Sequence, residues 1–147
     1  RGKINRSSAI GYCPQSPALY PRLTVDEHFD LYGQAANLPA SVVERTRTST
    51  LEHLGFGQYG STQCRSLSGG TRAKLSLSLS LLGDPAVLIL DEPYAAFDLS
   101  SYEAFWDLVT EQRGAGRAVV IVSHLELDTE RFDRRWTIHG GKLTDVV

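Results

Sequence analysis

Two short apolar runs with a helix-length segment between them constrain the fold of this chain more than any other feature. The run "AVLIL" at residues 86–90 ends in Asp91 and Glu92, and the run "AVVIVS" at residues 118–123 ends in His124. Such runs are typical of strands buried in a parallel sheet. A strand, a helix and a second strand in this order imply a right-handed crossover. The sequence therefore predicts an α/β fold built on a parallel sheet.

Three four-residue patterns predict where helices begin, because each has a hydroxyl residue followed three positions later by glutamate. "TVDE" at residues 24–27 predicts a helix that starts near Val25. "SVVE" at residues 41–44 predicts a second helix, which Gly55 is placed to end. "SSYE" at residues 100–103 predicts a third helix, between the two apolar runs.

The segment "LSLSLSLL" at residues 75–82 fits two structures. Its alternation favours a strand, whereas its leucines also share one helical face. Leucine, lysine and alanine favour helix, and the β-branched residues typical of strands are absent from the segment. We therefore expect a helix with Ser68 as its N-cap and "GDP" at residues 83–85 as its end.

The remaining patterned segments lie towards the two ends of the chain. Residues 9–21 open as a strand and continue into a loop that contains three prolines. Residues 135–147 have the pattern of a hairpin with its turn at Gly140 and Gly141.

Composition and charge exclude several classes of function. The 147 residues suit one domain with a real core, and 15 Lys and Arg against 17 Asp and Glu give a net charge of −2. That balance predicts no nucleic-acid partner. No apolar run is long enough to span a bilayer. Cys13 and Cys64 form neither a disulfide framework nor a metal-binding spacing, which favours a reducing, cytosolic setting.

The polar residues at the strand ends suggest phosphate chemistry. Ligands of open α/β sheets bind beyond the carboxyl ends of the strands. There Asp91 could hold Mg²⁺ through water, and Glu92, on the opposite side if the chain stays extended, could polarise an attacking water. His124 could stabilise charge on a phosphate. The alternatives are a strand that ends in solvated acids and a histidine used for packing.

Two further segments carry groups that suit a nucleotide. In "LSGG" at residues 67–70, backbone N–H groups at the start of a helix could bind a phosphate, or the segment could be a plain N-cap with a flexible turn. Gln15 follows the first strand, where its amide could ligate Mg²⁺ or orient a water. It could equally be an ordinary loop glutamine.

In their order and spacing, the segments "GYCPQ", "LSGG", "LILDEP", "AAFD" and "VIVSH" together resemble the ATP-binding-cassette (ABC) family over nearly the whole chain. The resemblance implies ATP and Mg²⁺ as cofactors. It also implies a role for each matching residue: Gln15 as the Q-loop glutamine and a metal ligand, Leu67, Ser68, Gly69, Gly70 and Thr71 as the signature sequence, Asp91 as the Walker B metal residue, Glu92 as the catalytic glutamate, Asp98 as the D-loop aspartate and His124 as the switch histidine.

The resemblance also implies an architecture and partners. Residues 1–23 and 83–147 would form the P-loop NTPase (RecA-like) core, and residues about 24–82 the inserted α-helical subdomain. Two such domains would meet head to tail, with the signature of each facing the ATP of the other. Transmembrane permease domains would be the further partners, at the cytoplasmic face of the membrane.

One family motif is absent from these 147 residues. The phosphate loop G-x-x-x-x-G-K-[ST] has no match, since the two Gly-Lys pairs, at residues 2–3 and 141–142, are followed by Ile4 and Leu143. The chain also contains no Met, and we expect the N-terminal part of the domain to be missing. We therefore expect these residues alone to hydrolyse ATP negligibly and to leave an edge or face of the sheet open.

Within the family, the "GYCPQSPALYPRLTVDEHFDLYG" start resembles exporter cassettes of the ABC-2 or A-subfamily type. Import cassettes, a soluble translation-type ABC ATPase and a non-catalytic docking module are the alternatives. Three small departures from the family pattern concern residues around the site: Thr71 where glutamine is common, "AAFD" in place of "SGLD", and Tyr94 where a small hydroxyl residue is usual.

Overall fold

A three-stranded parallel sheet forms the centre of the computed structural model, which describes residues 9–124 and 128–146. Its strands, in spatial order, are β1 (Ile10–Cys13), β2 (Val87–Asp91) and β3 (Ala118–Val122). The strands pair in register along their whole lengths, so their carboxyl ends lie at one edge of the sheet. The predicted α/β fold with a parallel sheet is confirmed.

The third strand is less buried than the sequence predicts. Val119 and Ile121 are partly buried against the core, whereas Val120 and Val122 are exposed. Tyr12 of β1 is also exposed, and it lies on the same face of the sheet because it pairs through β2 with Val120. The sheet therefore has one covered and one open face, and the prediction that β3 is buried on both sides is wrong. The open face agrees with the separate expectation that an edge or face of the sheet would be left uncovered.

Helices α1 (Val25–Ala35) and α2 (Ala40–His53) follow β1 along the chain and pack against each other. The capping box at the start of α1 is confirmed, with Thr24 and Glu27 as its reciprocal partners. The box predicted at residues 41–44 is wrong. Pro39 is the N-cap of α2, and its carbonyl accepts from two following N–H groups, so the chain is already helical at Ser41.

The predicted end of α2 is confirmed at Gly55. This residue has φ of +63°, a conformation that glycine adopts without steric cost. Its N–H donates to the Glu52 carbonyl at 3.1 Å, and the Phe56 N–H donates to the Leu51 carbonyl at 3.0 Å. These two bonds form a Schellman motif, which satisfies the last carbonyls of the helix.

The ambiguous leucine–serine segment is helical, as expected, in α3 (Gly69–Ser80). Its serines as well as its leucines are buried, because the helix is surrounded by α1, α2 and β1. Two of the buried hydroxyls bond within the helix, since Ser78 Oγ donates to the Lys74 carbonyl at 2.8 Å and Ser80 Oγ to the Leu77 carbonyl at 2.6 Å. Small residues let α3 approach β1 closely, since a Cβ at Gly11 would collide with the Ser80 carbonyl.

Helix α4 (Leu99–Gly114) connects β2 to β3 as predicted, with Phe105, Leu108 and Val109 buried. Its predicted cap within residues 100–103 is wrong, because Asp98 is the N-cap. Strands β4 (Trp136–His139) and β5 (Lys142–Asp145) form the predicted antiparallel hairpin. Short 3-10 turns occupy Gly57–Tyr59, Cys64–Ser66 and Thr129–Arg131. None of the helices in the described ranges has the length and apolar character needed to cross a bilayer.

Candidate functional site

The carboxyl edge of the sheet gathers four of the residues that the sequence singles out. Asp91 is the last residue of β2, and Glu92 follows it. His124 lies just beyond β3, and Gln15 just beyond β1. The structure joins Glu92 to His124 directly. The Gln15 side chain is exposed, and no hydrogen bond links it to Asp91 within the described chain.

Glu92 and His124 form a tightly bonded pair. Glu92 Oε1 accepts from the His124 backbone N–H at 2.7 Å and lies 2.6 Å from His124 Nδ1. Ser123 Oγ donates to Glu92 Oε2 over a longer 3.4 Å. The Glu92 side chain is only 8% exposed, whereas that of His124 is 70% exposed. The glutamate is thus held from one side, and the outer edge of the imidazole faces solvent.

The backbone turns sharply at Glu92. Its φ is +50°, in the left-handed region that residues other than glycine rarely adopt, and its N–H donates to the Val122 carbonyl at 2.9 Å. The chain therefore does not stay extended beyond β2, and the placement of Glu92 by strand alternation is wrong. A left-handed residue of this kind costs about 1–3 kcal/mol and persists where surrounding contacts hold it. Here the bonds to β3 and to His124 supply those contacts.

The bonds to His124 also decide the charge of Glu92. Burial alone would raise the pKa of this carboxyl, but the hydrogen bonds from the His124 side chain and backbone outweigh it and hold the pKa below its ordinary value. Glu92 is therefore ionised at neutral pH and can only accept hydrogen bonds. His124 Nδ1 must then carry a hydrogen, which leaves Nε2 as the nitrogen that faces outward.

The signature turn, residues 67–71, begins α3. Ser68 Oγ accepts from the Thr71 N–H at 3.0 Å and lies 2.8 Å from Thr71 Oγ1. Leu67 is buried and anchors the turn in the core, and its carbonyl accepts from Arg72 at 2.8 Å. The N–H groups of Gly69 and Gly70 make no hydrogen bond within the described residues. They are the first amides of a helix, a position that suits an anion.

The two glycines of this turn differ in their surroundings. A Cβ at Gly69 would meet nothing within 4 Å, whereas a Cβ at Gly70 would lie 2.9 Å from the Ala96 carbonyl. Gly70 therefore allows the loop after β2 to contact the signature turn. Gly69 leaves open space beside the free amides, which fits an incoming phosphate.

Asp98 ends that loop and has a clear local role. Its carboxylate accepts from the Ser101 N–H at 2.9 Å and from Ser100 Oγ at 3.1 Å. The bonds to Ser101 and then to Ser100 lower the pKa of Asp98 below its ordinary value. The predicted D-loop aspartate is thus the residue that caps α4 in this chain.

The oxygen donors at the sheet edge fit a magnesium ion that arrives with phosphates. Magnesium usually keeps several waters and takes one or two protein carboxylates together with substrate phosphates. Asp91 and Gln15 offer a carboxylate and an amide oxygen at neighbouring strand ends. Within residues 9–124 and 128–146, no three His, Cys, Asp or Glu side chains converge into a metal cage. A site of this kind would therefore depend on the nucleotide.

Sequence reasoning missed several residues around this site. Ser123 touches the pair formed by Glu92 and His124, and its place beside His124 in "VSH" is a signal that could have found it. Lys74 donates to the Leu54 carbonyl at 2.7 Å, and its charge helps to lower the pKa of Asp98. The polar residues His28 and Tyr32, one turn apart on α1, bond to the loop after Gln15.

Comparison with known proteins identifies the fold. The parallel sheet and its helices form an α/β fold of the P-loop NTPase type. The family model described as "ABC transporter" matches residues 2–95, and the chain belongs to that family.

Relatives and solved structures point the same way. The chain is 37% identical over 138 residues to "ATP-binding cassette sub-family A member 7" of Mus musculus, covering 94% of the chain but 6% of that protein. It is 33% identical over 137 residues to "Phospholipid-transporting ATPase ABCA3" of Rattus norvegicus, covering 93% and 8%. A solved structure titled "Structure of ATP binding subunit of ABC transporter" superposes with a TM-score of 0.84 at 26% identity, over 93% of this chain and 59% of the other. The expected resemblance to A-subfamily cassettes is confirmed.

Proposed function

We propose that this chain carries the ATP-hydrolysing residues of an ABC exporter. The observation that carries the proposal is the pair formed by Glu92 and His124 at the carboxyl edge of the sheet, next to Asp91. An ionised, nearly buried carboxylate beside an outward-facing imidazole suits a reaction in which a water attacks a phosphate. Catalysis of phosphoryl transfer is mainly positioning and charge stabilisation, and both groups serve those ends.

Glu92 would orient the attacking water. Its Oε1 accepts two bonds from His124, whereas Oε2 accepts a longer 3.4 Å bond from Ser123. Oε2 therefore has capacity to accept a hydrogen bond from water. Because the backbone and His124 fix the carboxylate, a water bound there would be held in one orientation.

His124 would contact the phosphate that is transferred. Its Nδ1–H is engaged by Glu92, so Nε2 is free to face the nucleotide. A protonated Nε2 would donate to a phosphate oxygen and stabilise the charge that develops there. Asp91 and Gln15 would hold Mg²⁺, which supplies neutralisation of the phosphate charge when it is bound.

The signature turn would serve the ATP of a second ABC nucleotide-binding domain. The free N–H groups of Gly69 and Gly70, with Ser68 beside them, suit a phosphate that approaches from outside the chain. Leu67 and Thr71 would position the turn. Asp98 would position the loop that Gly70 contacts. A head-to-tail dimer brings such a turn to the partner's nucleotide.

The wider assignment follows the family. We place the α-helical subdomain at residues about 24–82 and the RecA-like core at residues 1–23 and 83–147. Permease domains in the membrane would be the partners, with this domain at their cytoplasmic face. The similarity to "Phospholipid-transporting ATPase ABCA3" of Rattus norvegicus supports a phospholipid as cargo. The net charge of −2 gives no support for a nucleic-acid partner.

The 147 residues by themselves should bind MgATP poorly and hydrolyse it negligibly. They contain no G-x-x-x-x-G-K-[ST], the loop whose amides and lysine hold the β- and γ-phosphates. Positioning of the nucleotide would therefore fail even with Glu92 and His124 in place. Substantial turnover by the purified 147 residues, abolished by Glu92→Gln, would contradict this expectation.

The experiment that tests the proposed function uses the transporter that contains this chain, reconstituted in phospholipid vesicles. We expect MgATP hydrolysis, and movement of a fluorescent phospholipid between leaflets that requires hydrolysis. Glu92→Gln should abolish both while ATP remains bound. Hydrolysis without lipid movement would refute the cargo assignment alone, and absence of hydrolysis would refute the enzymatic role.

A further inference from the structure

A fully buried histidine on α1 is engaged at both ring nitrogens. His28 is 0% exposed, Nδ1 lies 2.6 Å from the Thr24 carbonyl, and Nε2 lies 2.9 Å from the Tyr20 backbone nitrogen. Thr24 is the N-cap of the same helix, whereas Tyr20 belongs to the loop that follows Gln15. The imidazole therefore bridges the start of α1 and this loop.

The partners of His28 determine its tautomer. A carbonyl oxygen can only accept, so Nδ1 carries a hydrogen and donates to Thr24. A backbone N–H can only donate, so Nε2 is unprotonated and accepts from Tyr20. Both polar atoms of this fully buried ring therefore have a hydrogen-bond partner. Loss of either partner would leave a buried polar group unpaired.

A second side chain on α1 holds the same loop. Tyr32, four residues after His28 and so on the same helical face, donates its hydroxyl to the Ala18 carbonyl at 2.8 Å. The backbone of the loop is therefore bonded to α1 at Ala18 and at Tyr20. These two bonds lie between Gln15 and the start of the helix.

The far end of this loop is bonded to the segment that leads into the signature turn. The Arg65 N–H donates to the Pro21 carbonyl at 2.9 Å, and the Cys64 N–H donates to the Leu23 carbonyl at 2.8 Å. Cys64 and Arg65 belong to the 3-10 turn that ends two residues before Ser68. A continuous series of bonds thus runs from the loop after Gln15 to the turn that would receive phosphate.

We propose that His28 is a positioning residue which fixes the loop after Gln15 to α1 and thereby sets Gln15 relative to the signature turn. It touches no nucleotide itself. The proposal rests on the proposed function insofar as Gln15 acts at the metal, while the bond between His28 and the loop stands independently of it. Because the loop has no regular secondary structure, the bonds from His28 and Tyr32 hold its middle, and the backbone bonds from Cys64 and Arg65 hold its far end.

Two matched substitutions separate the role of each ring nitrogen. In His28→Gln, the amide oxygen reaches the position of Nε2 and can still accept from Tyr20. In His28→Asn, the shorter amide reaches only the position of Nδ1, so it keeps a bond to Thr24 and loses the loop. Tyr32→Phe removes the neighbouring loop bond without deleting the ring.

The first measurement is hydrogen exchange in the transporter that contains this chain. We expect His28→Asn to speed exchange of residues 16–23 by about tenfold, as loss of one buried hydrogen bond implies, with exchange in α4 unchanged. His28→Gln should match the wild type. Tyr32→Phe should show a smaller acceleration over the same residues.

The second measurement is steady-state ATP hydrolysis per nucleotide-binding site. If Gln15 is displaced, kcat should fall by about tenfold in His28→Asn while KM for ATP changes little, and His28→Gln should restore kcat. A general loss of folding would instead speed exchange throughout the chain. It would reduce the number of sites that bind ATP and leave the kcat of each site unchanged.

Several results would overturn the proposal. They are unchanged exchange at residues 16–23 in His28→Asn, equal effects of the Asn and Gln variants, or a kcat per site in His28→Asn equal to that of the wild type. If His28→Asn does not fold, wild-type exchange over residues 16–23 in Tyr32→Phe overturns the proposal, and faster exchange there supports it. A wild-type transporter that hydrolyses no ATP would refute the proposed function, while the exchange measurement would still decide the role of His28.

Discussion

The two ends of the candidate site differ in how far the chain satisfies its own polar groups. At the sheet edge, Glu92 is nearly buried and its Oε1 accepts twice from His124. At the signature turn, the N–H groups of Gly69 and Gly70 have no hydrogen-bond partner within the described residues, and open space lies beside Gly69. The fold supplies the partners of the first end, whereas the two amides of the second have none within the described residues.

The two ends therefore differ in what each would need in order to act. In the proposed function, the pair at the sheet edge would already be held in place when a nucleotide and water arrive beside it. In the proposed function, the amides of the turn would bind an anion carried by a second molecule. Substitutions at the sheet edge should therefore change the rate of ATP hydrolysis. Substitutions at the turn should change the free energy of unfolding or ATP-dependent dimerisation, depending on the residue.

The largest expected effect is on hydrolysis, from Glu92→Gln in the transporter that contains this chain. The amide keeps the shape but loses the charge that orients water, and turnover should fall by about 10²–10⁴-fold. Equilibrium binding of ATP should be retained. Glu103→Gln, on the exposed side of α4, is the matched control and should hydrolyse ATP normally. A rate of hydrolysis in Glu92→Gln close to that of the wild type would contradict the proposal that ATP is hydrolysed at the sheet edge.

The next effect concerns the free energy of unfolding and compares the two glycines of the turn. Gly70→Ala would place a Cβ 2.9 Å from the Ala96 carbonyl, and the forced shift should cost about 1–3 kcal/mol. Gly69→Ala meets no atom within 4 Å and should change stability far less. Denaturant unfolding measures both. Equal losses in the two variants would show that the contact between turn and loop is not what distinguishes them.

A smaller effect separates capping from phosphate binding at Ser68. Ser68→Ala removes the bond to the Thr71 N–H and should lower the free energy of unfolding by about 1 kcal/mol. Ser68→Asp keeps a capping oxygen and should preserve stability, but its charge repels a phosphate. ATP-dependent dimerisation should therefore fail in Ser68→Asp, as followed by light scattering. Normal dimerisation in that variant would place the phosphate elsewhere.

The smallest effect is a pH dependence of stability from Glu92. Its pKa is lower in the folded chain than in the unfolded one, so the folded state is favoured when the carboxyl is ionised. This stabilisation is complete above the ordinary pKa range of glutamate and is lost as the pH falls through the lowered folded value. Because His124 is 70% exposed, solvent screening keeps it small. Unfolding of wild type and Glu92→Gln across this range should show a difference that shrinks with acid, and a constant difference would contradict it.

Local patterns predicted elements well where the deciding contacts lie within a few residues. The capping box at Thr24, the N-cap at Ser68 and the left-handed Gly55 all depend on neighbours in the sequence, and all are confirmed. The boxes expected at residues 41–44 and 100–103 failed for a related reason. Pro39 and Asp98 are the N-caps of those helices, two residues before the predicted ones, so the later pattern had no helix start left to cap.

Long-range contacts limited what could be predicted about the site. The motif order identified Glu92 and His124, but strand alternation misplaced Glu92 because a left-handed turn follows β2. The exposure of Val120 also escaped prediction, since an apolar run does not reveal which faces of its strand are covered. The position of Glu92 and the exposure of Val120 both depend on contacts with segments that are distant in the sequence.

The order of residues alone was enough to predict the strand–helix–strand order, the helix ends at Thr24, Ser68 and Gly55, and the motifs of the ABC transporter family. Only the tertiary structure decided that Glu92 bonds to His124 and that His28 bonds to the loop after Gln15. The reason is the distance along the chain over which each effect acts. Propensity and capping act over a few residues, whereas these bonds exist because the packed sheet and helices bring their partners within reach.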